Sequence, residues 1–186
     1  GPYGTGLTKA VAPVTEKFGV PMVEAEGASR SLFTQGYKYM FAVLSTSEYY
    51  LAPVLDIIAQ RAKAGWKSPS ELRIGMAFEN DGFSLDVRAG VLDVAKKYNM
   101  KIVIDDKLPA DLSDMSATLT KFKALKPDIL LISGHSKGAA SAARQIEEMK
   151  IQAPVIAYTH CEAAKVHEKF PKSAVGVMCP TQWLDN

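Results

Sequence analysis

The polar and aromatic side chains that could bind a ligand follow short apolar runs typical of buried β-strands. The segment 79–83 (ENDGF) follows one such run, 134–137 (GHSK) a second and 159–162 (THCE) a third. Ligands bind outside the carboxyl ends of the strands in an open parallel sheet, so we expect these loops to share one edge. Phe83 offers a flat apolar face and His135 a ring whose nitrogens donate or accept, which suits a small organic ligand better than a phosphate.

The two aromatic candidates differ in how well an ordinary structural role explains them. Phe83 could be a core side chain, and the Asn-Asp-Gly that precedes it is a common turn sequence. His135 follows a glycine in a polar loop, where binding residues are concentrated, so a ligand site is the favoured interpretation there.

Two loops of small residues near the N-terminus could hold a carboxylate. Gly4, Thr5 and the next glycine precede a predicted helix, where backbone N–H groups and a hydroxyl meet the positive end of the helix dipole. A helix cap by Thr5 explains the same residues equally well. The loop Gly27-Ala28-Ser29 is of the same kind. The glycine spacing fits neither the dinucleotide fingerprint nor the P-loop, so nucleotide binding is weakly supported.

The residues that would suit catalysis or a metal are poorly spaced for either. His160, Cys161 and Glu162 are adjacent, and adjacent side chains rarely point at one substrate atom. No two histidines have the spacing of a helical metal site, so we expect no catalytic residue, no metal and no cofactor. Cys161 and Cys179 are too few for a zinc site. An oxidising compartment would permit a disulfide between them, and two free thiols are the alternative.

The composition is that of an ordinary globular protein. Of 186 residues, 47% are apolar and 23% charged, which is enough apolar material for a core. The formal charge is +2, and no basic cluster alternates with aromatic residues, so nucleic acid is not an expected partner. The longest apolar stretches, such as residues 129–132, are far shorter than the roughly 20 residues of a membrane-spanning helix.

The elements that must position these loops alternate between short β-rich runs and amphipathic helical runs, which indicates βαβ units and a parallel sheet. Helical spacing predicts helices over 84–98 and 137–149, and a longer helix through Leu51 and Ile58 that ends near Gly65. The predicted strands span residues 73–78, 101–105, 128–133, 154–158 and 174–178.

The first 44 residues supply too few elements for a complete sheet. They predict a helix over 7–18 and strands at 20–24 and 39–43. Pro13 lies inside the helical pattern and removes one hydrogen bond, so the helix is expected to bend or to begin later.

Three segments resemble the substrate-binding proteins of branched-chain amino acid ABC transporters. They are GPYGTG at 1–6, GVPMVEAEGAS at 19–29 and ENDGF at 79–83, and the resemblance extends over all 186 residues. It implies the periplasmic-binding-protein type 1 fold, an α/β architecture with two Rossmann-like lobes of three layers, each built on a parallel sheet. One lobe would be complete here and one partial. Residues 1–44 would be the latter part of lobe one, 45–180 all of lobe two, and 181–186 the start of the return crossover.

The resemblance also implies the ligand contacts. Hydroxyls at Thr5 and Ser29, with nearby backbone amides, would hold a ligand carboxylate, and the carbonyl of Gly27 would accept from an ammonium group. Aromatic rings would stand at Phe83 and His135. The ligand-binding residues predicted in this way are Tyr3, Gly4, Thr5, Gly27, Ala28, Ser29, Phe83, His135 and Thr159.

The sequence departs from the family pattern at Thr159, where an acid that pairs with the ligand's ammonium group is expected. Glu162 lies three residues on and would supply that acid if the loop is shifted. An unpaired buried ammonium is costly, so a ligand without one is favoured, such as an aromatic or aliphatic carboxylate in contact with Tyr3, Phe83 and His135.

The function implied is that of a periplasmic, or membrane-anchored extracellular, solute-binding protein. It would deliver a small carboxylate-bearing ligand, either similar to a branched-chain amino acid or an aromatic or aliphatic carboxylate, to an ABC transporter permease without covalent chemistry. A ligand-sensing receptor domain of the same fold is the first alternative, and an α/β enzyme the second. The bare edge of the partial lobe predicts an intermolecular partner, which includes self-association, or disorder or further chain.

Overall fold

The computed structural model describes residues 1–63, 65–110 and 112–182. The last part of the predicted return crossover, residues 183–186, lies outside the described residues. No helix in these ranges is both long and apolar enough to span a membrane. The helices and strands are α1 (Thr5–Phe18), β1 (Met22–Glu24), α2 (Arg30–Phe33), β2 (Met40–Ala42), α3 (Ala52–Lys63), β3 (Arg73–Glu79), α4 (Gly82–Lys97), β4 (Lys101–Leu108), α5 (Ser116–Leu125), β5 (Ile129–Ser133), α6 (Ser136–Glu148), β6 (Val155–Tyr158), α7 (Ala164–Lys169) and α8 (Pro171–Ala174).

A four-stranded parallel sheet in the order β4-β3-β5-β6 forms the centre of the larger part of the chain. Strand β3 is buried almost throughout, and its residues alternate between two apolar cores. Met76 and Phe78 pack with helices α3 and α4 on one face, while Ala77 packs with α5 and α6 on the other. The three-layer α/β arrangement is therefore as the alternating sequence predicts.

Four of the five strands predicted for this sheet are present, and the prediction of the fifth, at residues 174–178, is wrong. Residues 171–174 form the helix α8, and Gly176 has a φ of +80°, which an extended strand does not adopt. The following residues meet the sheet at one parallel bridge between Ala157 and Met178. Because β-branched Val175 and Val177 flank the glycine, the local pattern resembled a strand.

The first 44 residues form a small separate sheet against one helix. Strands β1 and β2 pair in parallel, from Met22 with Met40 to Glu24 with Ala42. Helix α1 runs unbroken through Pro13 and begins at Thr5, so the expected later start is wrong. Gly19 ends it in the left-handed conformation at φ 63°, the usual helix C-terminal role of glycine.

This small unit leaves much of its apolar surface in water. Three large apolar side chains of α1 are more than half exposed, namely Leu7, Val14 and Phe18. Val23 and Phe41 on the two-stranded sheet are also more than half exposed. An apolar face of this extent is typical of a surface that another polypeptide covers.

Candidate ligand-binding site

A cavity of about 390 Å³ lies between the N-terminal unit and the loops that follow β3, β5 and β6. Tyr3, Gly4 and Thr5 line it from the N-terminal side. Phe83 and His135 line it from the loops, as the parallel-sheet rule predicts. The wall is completed by Ala25, Glu26, Tyr50, Ser136, His160, Glu162, Pro180, Thr181 and Gln182.

Four of the predicted binding residues lie near this cavity without lining it. Gly27, Ala28 and Ser29 are buried. A Cβ on Gly27 would lie 2.3 Å from Oγ1 of Thr8, so glycine is required there for packing. Thr159 is also buried, and its hydroxyl accepts from the Gly134 N–H at 3.0 Å and donates to the Gly134 carbonyl at 2.7 Å. Its role in the structure is to fix the loop that holds His135.

Ser29 connects the N-terminal unit to helix α4. Its hydroxyl donates to Oδ2 of Asp86 at 2.6 Å, and the Arg30 N–H donates to the same oxygen at 2.8 Å. The Ser29 N–H donates to Oγ1 of Thr5 at 3.2 Å. The two hydroxyls that the resemblance assigns to one carboxylate are thus neighbours, although the Ser29 hydroxyl is already bonded to Asp86.

His135 is held in place by a carboxylate. Its Nε2 donates to Oδ2 of Asp81 at 2.7 Å, and the other oxygen of Asp81 accepts from the Ser84 N–H at 2.7 Å, which caps α4. The hydrogen bond to Asp81 raises the pKa of His135, and the nearby charge of Glu79 acts in the same direction. Burial alone would raise the pKa of Asp81, but hydrogen bonds from His135 and Ser84 outweigh it and lower that pKa. The pair therefore favours an imidazolium opposite a carboxylate.

Glu79 completes this cluster from beneath the loop. Its Oε2 lies 4.0 Å from Nε2 of His135, and its side chain is buried. A Cβ on Gly134 or Gly138 would lie 2.7 or 2.8 Å from Oε1 of Glu79. Both glycines therefore make room for the carboxylate.

Glu79, Asp81 and His135 each have a side-chain atom that could coordinate a metal ion, and these three atoms lie within 4.8 Å of one another. Residue spacing in the sequence did not reveal this grouping. Asp81 and His135 are 54 positions apart in the chain, so only the fold brings them together. The ion pair between His135 and Asp81, together with the capping of α4 by Asp81, accounts for this grouping.

Aromatic rings surround Phe83. Its ring centroid lies 5.2 Å from that of Tyr50, 5.5 Å from that of His135 and 5.7 Å from that of His160. Phe83 is only 4% exposed and belongs to the core that contains α3 and α4. The two explanations of Phe83 are therefore compatible, because one ring packs in the core and borders the cavity. Oη of Tyr3 lies 3.4 Å from Nδ1 of His135, which extends the aromatic wall.

Sequence reasoning did not place Glu26, Tyr50 and His160 among the ligand-binding residues, and it named Glu162 only as the alternative to Thr159. Nδ1 of His160 donates to the Gly134 carbonyl at 2.9 Å, which leaves Nε2 as an acceptor. Burial lowers the pKa of His160 and favours the neutral ring. Burial, with the charges of Glu26 and Glu162, raises the pKa of Tyr50 to about 12. The position of Glu26 beside Gly27 was a usable signal, whereas nothing local marked Tyr50.

The cavity wall carries two acidic side chains beside the His135 ring, whose charge is balanced by Asp81. Glu26 and Glu162 line it, and its described lining residues include no lysine or arginine. Glu162 lines this cavity and Thr159 does not, which is the arrangement expected if the loop is shifted.

Cys161 and Cys179 form a disulfide, with their Cα atoms 5.5 Å apart. Of the two states that the sequence left open, a disulfide and two free thiols, the structure has the disulfide. Cys161 is buried in the core that contains α5 and α6, and Cys179 packs against the same core.

The whole chain, residues 1–186, matches the family described as periplasmic binding protein. The chain belongs to that family. Its type 1 fold and its resemblance to the branched-chain amino acid type are both confirmed by the relatives below.

Among curated proteins, Leu/Ile/Val-binding protein homolog 8 of Brucella abortus is 22% identical over 149 residues, which are 80% of this chain and 37% of that protein. The leucine-binding protein LivK of Thermotoga maritima superposes with a TM-score of 0.82 at 19% identity, over 99% of this chain and 50% of that one.

Two further structures contain ligands. The Streptococcus pneumoniae LivJ complex with isoleucine gives a TM-score of 0.74 at 19% identity, over 96% of this chain and 49% of that one. A Rhodopseudomonas palustris solute-binding protein with 3,4-dihydroxybenzoic acid gives a TM-score of 0.70 at 18% identity, over 84% of this chain and 41% of that one. The chain thus spans half the length of these relatives or less.

Proposed function

We propose that this chain is part of the solute-binding component of an ABC transporter and binds a small carboxylate-bearing ligand between two lobes. The observation behind the proposal is the cavity itself, which is lined from the N-terminal unit and from three loops of the larger sheet. In this proposal residues 1–44 belong to lobe one, 45–180 form lobe two, and 181–186 begin the return crossover. The periplasm and a membrane permease are the proposed location and partner.

The start of α1 is the proposed site for the ligand's carboxylate. Gly4 is the N-terminal cap residue and offers no side-chain cap, and no acidic residue occupies the first turn. The N–H groups there are suited to an anion, since they coincide with the positive end of the helix dipole. Gly4 and Thr5 both line the cavity.

An α-amino acid is the first candidate ligand. A ligand that had only a carboxylate would face Glu26 and Glu162, while the His135 imidazolium on the same wall is already paired with Asp81. An ammonium group would pair with those acids, and its cost of burial would be offset by hydrogen bonds and by the ring faces. These two acids support an α-amino acid over the ligand without an ammonium group that the sequence favoured.

An aromatic carboxylate is the second candidate, and the rings of Tyr3, Tyr50, Phe83 and His135 favour it. A flat ligand could stack or make edge contacts with this wall. The relative that binds 3,4-dihydroxybenzoic acid shares the fold, so the fold accommodates ligands of this class.

Calorimetric titration of the full-length protein distinguishes these candidates. The panel is leucine, 4-methylpentanoate (leucine without its amino group) and 4-hydroxybenzoate. We expect leucine to bind at least about tenfold more tightly than 4-methylpentanoate, a difference of about 1.4 kcal/mol. Tight binding of 4-hydroxybenzoate with none of leucine would establish the second candidate. Absence of binding across the panel would contradict the proposed ligand class.

A receptor domain that senses its ligand is the alternative role for the same site. Uptake of the bound ligand into membrane vesicles that contain the cognate permease separates the two. Transport that requires the protein supports the transporter component, whereas binding without any effect on uptake supports the sensor.

A further inference from the structure

The disulfide joins two short stretches that both line the cavity. Cys161 lies between His160 and Glu162, and both of these residues face the cavity. Cys179 directly precedes the three residues that form another part of the wall, 180–182. The bond therefore connects two parts of one ligand site.

The Cys161 side of this connection is firmly held. Cys161 is only 1% exposed, and it follows the end of β6 by three residues. His160 before it adopts a φ of 61°, and its ring is bonded to the Gly134 carbonyl. This side provides a fixed point for the bond.

The other stretch has much weaker backbone support. It meets the sheet at one bridge, where the Met178 N–H donates to the Ile156 carbonyl at 2.9 Å. Val175, the residue directly after α8, is 82% exposed, and Gly176 interrupts the extended conformation. Further along, Oε1 of Gln182 accepts from the Ser45 N–H at 2.8 Å. A covalent bond at Cys179 thus fixes a stretch that regular strand pairing does not.

We propose that the Cys161–Cys179 disulfide is a positioning pair for the ligand site, so that ligand affinity depends on this bond being formed. The inference rests on the proposed function. The bond closes a loop of 18 residues and removes conformations in which residues 180–182 leave the cavity. Without it, the ligand must itself order that wall, and the entropy of ordering is lost from the affinity.

Reduction tests this directly. Dithiothreitol supplies two electrons and two protons through thiol–disulfide exchange, which leaves two protein thiols and cyclic oxidised dithiothreitol. The full-length protein is titrated with leucine and with 4-hydroxybenzoate in three forms: oxidised, reduced, and Cys161→Ser/Cys179→Ser. We expect the reduced and double-serine forms to bind the better ligand about tenfold more weakly, mainly through faster dissociation.

A matched control separates positioning from general stability. Ile146→Val removes one methylene from the same core layer but leaves the cavity wall unchanged. It is expected to lower Tm and keep the affinity. Equal affinity of the oxidised and double-serine forms would overturn the inference. It would also be overturned if Ile146→Val lost as much affinity as the double-serine form when the two have the same Tm.

A second measurement requires no ligand. Hydrogen exchange of peptides that cover residues 179–182 should be faster in the double-serine form, while exchange in β3 stays unchanged. If the oxidised protein bound neither probe, the proposed function would fail and with it the effect on affinity, while this exchange result would still decide whether the bond positions residues 180–182. Unchanged exchange at 179–182 would overturn it.

Discussion

At the scale of single residues, the site depends on one histidine whose charge is set by its neighbours. His135 donates to Asp81 with Glu79 close by, and the neighbouring His160, whose ring centroid lies 6.0 Å from that of His135, has its pKa lowered by burial. Two imidazoles in one wall therefore have opposite tendencies. One favours the charged form and the other the neutral form, so the wall offers both a cationic donor and a neutral acceptor.

The Asp81→Asn substitution should lower the pKa of His135, because it removes the negative charge and leaves only a weaker, neutral amide oxygen as acceptor. In the wild type this pKa lies above the ordinary 6.5, so its contribution to stability is complete below 6.5 and is lost as pH rises through the folded value. The pKa of Asp81 is lowered from 3.8, so its contribution is present above 3.8 and is lost as pH falls through the folded value. The fall in Tm above pH 6.5 should therefore flatten in the variant.

Proton NMR titration of the His135 ring checks this prediction. Asp93→Asn, an exposed position on the same helix, is the matched control and should leave the titration unchanged. An unchanged His135 pKa in Asp81→Asn would show that the hydrogen bond does not set its charge.

How far the site can be predicted depends on the residue. Phe83 and His135 follow strands that a continuous apolar run makes recognisable, so their shared edge follows from the sheet rule. Glu26 and Tyr50 lie outside those strand ends, and only the packing of the N-terminal unit brings them to the cavity. Thr159 was predicted from its position after a strand, but its hydroxyl bonds to Gly134 because the loop turns immediately beyond it.

At the scale of elements, the central strands could be predicted because burial on both faces requires apolar residues throughout. Helix α5 was not predicted, since its buried face includes Thr118 beside Leu119 and Phe122, and its N-terminal cap residue, Met115, offers no side-chain cap. The strand expected at 174–178 failed for a different reason: the conformation of one glycine outweighed the β-propensity of its neighbours.

The turn between β5 and α6 should not tolerate a larger residue. In Gly134→Ala the new Cβ would lie 2.7 Å from the buried Glu79 carboxylate and 3.0 Å from Leu112. We expect a loss of about 1–3 kcal/mol in the free energy of unfolding, as for other overpacked sites. Urea unfolding measures it.

Gly6→Ala is the control for this substitution. A Cβ on Gly6 meets nothing within 4 Å, and alanine is the better helix former in α1. We expect no loss of stability there, or a gain of up to about 1 kcal/mol. Equal effects at Gly134 and Gly6 would contradict the packing account.

At the scale of the whole molecule, the exposed apolar face of the N-terminal unit is the main feature still to be explained. Leu7, Val14 and Phe18 lie on α1, and Val23 and Phe41 on the small sheet, all more than half exposed. The chain spans half the length of its relatives or less, so further chain in a longer protein is the covering surface that we propose.

A polypeptide of these 186 residues alone should therefore self-associate. Light scattering after size-exclusion chromatography is expected to show species larger than the 20.2 kDa monomer, and Leu7→Lys/Phe18→Lys should shift the population toward the monomer. A monomer at all concentrations that does not bind an apolar dye would contradict this expectation.

The central claim is that the cavity binds a ligand whose ammonium group pairs with Glu26 and Glu162. Calorimetric titration of the full-length protein with leucine tests it in three forms: wild type, Glu26→Gln/Glu162→Gln, and Glu147→Gln as an exposed control on α6. We predict one site per chain in the wild type, at least about tenfold weaker binding in the double variant, and unchanged binding in the control. Binding in the double variant as tight as in the wild type, or no binding to the wild type, would contradict the account.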